Sequence, residues 1–167
     1  MRPRHAIHLS GAIHLVGPLA LAIALVGTPE AAAAPALRLP TLHVPTVAHG
    51  PACVGQVVGD ATSIAALQQR SGPPIDNRGR LYVSAAGGFA GISENLGAPC
   101  DVTVTIEWRN LGSGRTGRVS GTVAGLLIPV APLLSLTRMV TTGSGRVELV
   151  VTTDRPHLPA RGTVVVH

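Results

Sequence analysis

The strongest constraint on this chain lies in ten residues: Cys100, Asp101, Val102, Thr103, Val104, Thr105, Ile106, Glu107, Trp108 and Arg109. Even positions carry cysteine and large apolar side chains, and odd positions carry polar or charged ones. A period of two puts successive side chains on opposite faces of a strand, so one face is apolar and the other wet. The stretch therefore calls for an antiparallel sheet with one covered face. It also places Cys100 and the single tryptophan, Trp108, on that covered face.

The tail repeats the signature. Residues 137–142 and 146–153 flank Gly143, Ser144 and Gly145 and read as a hairpin with a glycine turn. A loop over 154–162 then leads to a closing strand at 163–166. Upstream, Ala52 to Gly59 reads as the first core strand and residues 80–84 as another. Residues 62–70 start with an N-cap candidate, Thr62, and stop before Gly72, which predicts one short helix. Six or seven strands at this spacing predict an immunoglobulin-like antiparallel β-sandwich.

Residues 1–33 read as a secretory signal peptide. Arg2 and Arg4 form a basic start, residues 15–26 an apolar run, and Ala31, Ala32 and Ala33 a small-residue cleavage site. The run is too short for a comfortable membrane span, so no transmembrane segment is expected after cleavage. Prolines at 35, 40, 45 and 51 forbid a helix over 34–51. That segment reads as a semi-rigid spacer, with a proline-tolerant sheet edge through Leu42, His43, Val44, Thr46 and Val47 as the alternative. The folded domain is then 52–167.

Residues 34–167 hold 11 arginines against 7 carboxylates, a net charge of +4, with no lysine. The arginines are scattered and no stacking aromatics accompany them, so nucleic acid is not expected as a partner. Two cysteines in an exported chain most simply form one disulfide, Cys53 to Cys100. Closing a loop of that length contributes roughly 4 kcal/mol in the chain-entropy model. A core with one Trp, one Tyr and one Phe has use for such a staple.

Catalytic chemistry finds no foothold in the sequence. There is no G-x-S-x-G elbow, and His43, His49, His157 and His167 fall in a spacer, a loop or at the terminus, His43 and His49 being expected in solvent. None has the spacing of a metal ligand, and Glu94 is a carboxylate with no visible partner. Asp101 and Glu107, about 20 Å apart on one strand, are too distant for paired-carboxylate hydrolysis. Residues 112–117 spell G-x-G-x-x-G, but a strand pattern follows instead of a helix, so this is a hairpin loop and no dinucleotide site. No cofactor is expected.

Two stretches remain as interaction sites. Residues 87–99 read as a long irregular connection, the kind of segment on which function concentrates, although Phe89 and Ile92 are expected to tuck under the sheet. Residues 124–136 are uncharged and apolar, broken by Pro129 and Pro132, and are expected to be mostly buried. Any exposed part would form a ligand or partner patch from Phe89, Leu126, Leu127, Ile128, Leu133 and Leu134.

The alanine-proline junction near residue 34, arginine without lysine, and a small Thr/Val/Gly-rich β-domain resemble the uncharacterised exported proteins of actinomycetes, including mycobacteria. The resemblance implies a secreted or cell-envelope location by the general secretory route and carries no catalytic residues. The sequence reading is thus a non-enzymatic interaction or structural module whose partner is an envelope protein or lipid. A carrier of an apolar ligand ranks second and a secreted hydrolase third.

Overall fold

The computed structural model describes residues 37–94, 97–127 and 131–167. The expected signal peptide and its cleavage site lie outside the described residues. Among the described residues eleven strands form: β1 (Leu37–Arg38), β2 (Leu42–Val47), β3 (Ala52–Ser63), β4 (Ala66–Leu67), β5 (Ile75–Asp76), β6 (Arg80–Ile92), β7 (Asp101–Asn110), β8 (Thr116–Leu126), β9 (Ala131–Thr141), β10 (Gly145–Thr153) and β11 (Ala160–Val166). The all-β antiparallel class expected from the sequence is what forms.

Nine strands share one sheet in the order β1-β3-β6-β9-β8-β7-β10-β11, with β2 also paired to β3. The ladders are antiparallel apart from one parallel bridge, Phe89 to Leu126. β7 lies between β8 and β10, and its alternation is realised: Val102, Val104, Ile106 and Trp108 are buried. β8 and β9 pair only near their connection, over Ala124–Leu126 and Ala131–Leu134. The sheet is nearly barrel-shaped. At one end the Val47 N–H donates to the Pro156 carbonyl (3.2 Å) and the Leu158 N–H to that of Pro45 (3.1 Å); at the other the Gly79 N–H donates to that of His167 (2.7 Å).

Four local expectations change. The spacer is part of the sheet from Leu37 onward, and β2 buries Leu42, Val44 and Thr46 against β3. Pro45 fits because its carbonyl, and so its missing N–H, faces away from β3 toward Leu158. The short helix is absent among the described residues. β3 claims residues through Ser63 for its ladder, and Ala66–Leu67 pair with Ile75–Asp76, leaving too short a run for a stable helix.

The expected irregular loop begins later than residue 87, because β6 continues to Ile92. A glycine permits this: a Cβ on Gly87 would lie 2.4 Å from the ring of Phe89, which folds back over it into the core. Finally, residues 137–153 are no hairpin. β9 pairs with β6 while β10 pairs with β7 and β11, so the 142–144 turn arches across the end of the sheet.

Candidate functional site

One end of the sheet gathers the β2–β3, β6–β7, β8–β9 and β10–β11 connections, as the registers require: Ala52 opposes Ile92, Asp101 opposes Ala124, and Thr153 opposes Val104. The Cys53–Cys100 disulfide sits at this end. It ties β3 to the start of β7, strands that are not neighbours in the sheet, and both cysteines are buried.

Beside the disulfide lies a groove of about 400 Å³ lined by Gly91, Ile92, Ser93, Pro99, Leu126 and Leu133, among others. Ile92 and Leu133 are 57% and 58% exposed, and Leu126 and Leu134 are also exposed. Aliphatic side chains this open, side by side, are unusual on a soluble surface and mark interaction sites. The apolar segment was expected to be mostly buried. The structure buries Ala124 and Leu136 but leaves Leu126, Leu133 and Leu134 in solvent.

Of the sequence-derived patch, Leu126 and Leu133 come together in this groove, while Leu134, the next residue of β9, is exposed but does not line it. Leu127 is half-buried, its N–H donating to the Phe89 carbonyl. Phe89 drops out of the patch: at 2% exposure it tucks into the core as favoured from the sequence, whereas Ile92, expected to tuck with it, stands exposed at the end of β6. Ile128 lies outside the described residues.

The sequence missed a polar cluster behind the groove. His49 was expected in solvent and without a carboxylate neighbour. Its Nδ1 lies 2.8 Å from Asp101 Oδ1 and its Nε2 lies 3.0 Å from Asp154 Oδ2. Asp154 is itself positioned by β7, since its Oδ1 accepts the Thr103 N–H at 3.1 Å. Glu94 is paired as well: Arg155 Nη2 approaches its Oε1 at 3.2 Å on the surface. One signal could have found the cluster. His49 stands four residues before Cys53 and Asp101 directly follows Cys100, so pairing the cysteines brings the two together.

With both ring nitrogens engaged by carboxylates and the cysteines bonded, this cluster holds the loops in place. Among the described residues, no group of three or more His, Cys, Asp or Glu side chains is arranged to hold a metal ion. No described helix is long and apolar enough to cross a membrane. A second groove, about 430 Å³, opens on the outer face of β7, β8 and β10 between Glu107, Arg109, Arg118 and Glu148. Opposite charges stand on neighbouring strands there, Glu107 beside Arg118 and Glu148 beside Arg109, as on a solvated sheet face. No protein-family model, curated protein or solved structure matches this chain.

Proposed function

We propose that this chain is a non-enzymatic interaction module, secreted or held at the cell envelope, that docks an envelope protein through the groove at its disulfide-tied end. The observation that carries the reading is the exposure of Ile92, Leu126 and Leu133 around one groove at the ends of β6, β8 and β9, at the end of the sheet where the Cys53–Cys100 disulfide sits. Apolar contacts on a preordered surface bind with less entropy lost than contacts on a loose one. The disulfide is consistent with an oxidising compartment outside the cytoplasm. In plan we read the fold as immunoglobulin-like: β1, β2, β3, β6 and β9 form one half, β8, β7, β10 and β11 the other, and Cys53–Cys100 spans the two.

The test is capture from envelope extracts of the producing organism, comparing the wild type with an Ile92→Glu, Leu133→Glu double variant. A protein retained by the wild type and lost by the variant supports the reading. Equal retention by both removes the groove from consideration.

A second reading, a carrier of an apolar ligand, is favoured by the groove's volume, which falls within the roughly 300–1,000 Å³ of small-molecule sites. Native mass spectrometry separates the two. A releasable lipid adduct on the wild type, absent from the double variant, would replace the docking model with the carrier.

A further inference from the structure

We propose that the outer edge of β9, from Ser135 to Thr141, is a strand-addition site for an extended, acidic segment of a partner protein, with Arg138 as the residue that selects it. Over these residues β9 pairs with β6 on one side and with no described strand on the other, since its pairing with β8 ends at Leu134. Beyond that point the two strands meet across the core and not side by side: the buried Leu136 reaches over to Gly121 of β8, where a Cβ would lie 2.9 Å from its Cδ1.

The Thr142 N–H donates to the Gly79 carbonyl at 2.9 Å, and the β6–β9 register runs on from there without a shift. Successive residues of a strand aim their N–H and C=O groups at opposite sides. Val140, Arg138 and Leu136 therefore turn theirs to β6, and Ser135, Thr137, Met139 and Thr141 turn theirs outward. Those four residues are exposed and uncharged. Outward backbone groups at strand spacing are matched in register by another extended backbone, which fixes the form of the partner segment.

Arg138 fixes its charge. It shares the register of buried Leu136 and partly buried Val140 and stands opposite buried Val83, yet it is exposed. Its side chain leaves the core side at the open edge, where Nη1 donates at 2.8 Å to the Thr137 carbonyl, one of the outward acceptors. No described carboxylate pairs with it. A charge at a core-facing position of an edge strand discourages indiscriminate pairing. It disfavours a second copy in particular. The antiparallel register that joins all four outward residues, Ser135 to Thr141 and Thr137 to Met139, sets Arg138 against its own counterpart, and like charges directly opposite repel. An incoming strand that donates an N–H to Thr137 displaces the guanidinium, and an Asp or Glu opposite Arg138 receives it. That position is a non-hydrogen-bonded pair, where cross-strand side chains come closest.

The test is affinity selection from a library of random nine-residue peptides on the oxidised full chain, then amide hydrogen exchange of the chain with the best selected peptide. Ile92 and Leu133 are left untouched, so the result is independent of the groove. Selected peptides should set an Asp or Glu among β-branched residues and should protect the Ser135, Thr137, Met139 and Thr141 amides. Replacing that carboxylate by Lys should weaken binding about tenfold, as attraction becomes repulsion, and Arg138→Glu should reverse the preference. Thr137→Pro removes one outward N–H and spares the β6 ladder, so binding should be lost while the fold stays. The proposal is overturned if no peptide is selected, if the bound peptide leaves the four amides unprotected, or if Lys serves as well as Glu. A wild-type dimer that protects the same amides would overturn it too, by giving the edge to a second copy. These readings come from the wild type and stand whether or not the variants fold.

Discussion

Asn110 Nδ2 donates to the carbonyl of Thr142 at 3.1 Å, and both residues are buried. The contact joins the end of β7 to the turn that carries the chain from β9 across to β10. The same amide nitrogen reaches the carbonyls of Gly143 (3.3 Å) and Ser144 (3.1 Å), and Asn110 Oδ1 accepts the N–H groups of Gly112 (2.9 Å) and Ser113 (3.0 Å). One side chain thus satisfies the backbone of two connections that have no ladder of their own.

Asn110→Ala should therefore destabilise the domain by about 2–4 kcal/mol, since several backbone groups lose their partner together and each orphaned buried group costs about 1–3 kcal/mol. Urea unfolding gives the value. A loss under about 0.5 kcal/mol would show that water replaces the amide at no cost.

Replacing both cysteines, Cys53→Ala with Cys100→Ala, should lower stability by roughly 2–5 kcal/mol. The bond closes a separation of 47 residues and joins strands the sheet does not pair. An unchanged melting temperature relative to the oxidised wild type would refute the staple.

Gly117 lies under Trp108, and a Cβ there would sit 2.5 Å from the indole ring. Gly117→Ala should cost about 1–3 kcal/mol, the range for overpacking, and should shift the tryptophan fluorescence. Wild-type stability and emission together would mean that the ring moves aside freely.

Phe89→Ala and Leu133→Ala should differ sharply, although both residues belong to the apolar patch read from the sequence. The buried Phe89 predicts a loss of about 3–5 kcal/mol. The exposed Leu133 predicts a change within about 0.5 kcal/mol, with its effect confined to partner or ligand capture. Equal losses would mean that the segment around Leu133 packs into the core.

Much of the candidate site was legible as segments and little of it as geometry. The 87–99 and 124–136 stretches were singled out as the places to look for a partner site, with burial as the favoured reading of both, and they meet in one groove through Ile92, Pro99, Leu126 and Leu133. Which apolar residues face water was not legible. Both Phe89 and Leu133 are large apolar residues in largely apolar surroundings, and only their places in β6 and β9 decide that one faces the core and the other solvent. The His49 cluster draws on residues 49, 101 and 154, which no local spacing connects.

The sequence by itself determined the all-β class and β7 with its buried face, because side-chain alternation is a local property with a period of two. It also determined the disulfide, since two cysteines allow one intramolecular pairing. The tertiary structure decided which strands become neighbours. A glycine turn at 143–145 suits a hairpin and an arch equally, and the choice fell to β9 finding β6 and β10 finding β7, pairings across long stretches of chain. Local pattern specifies the face a strand buries. Long-range pairing specifies what lies beside it, and so which side chains converge on the groove and the His49 cluster.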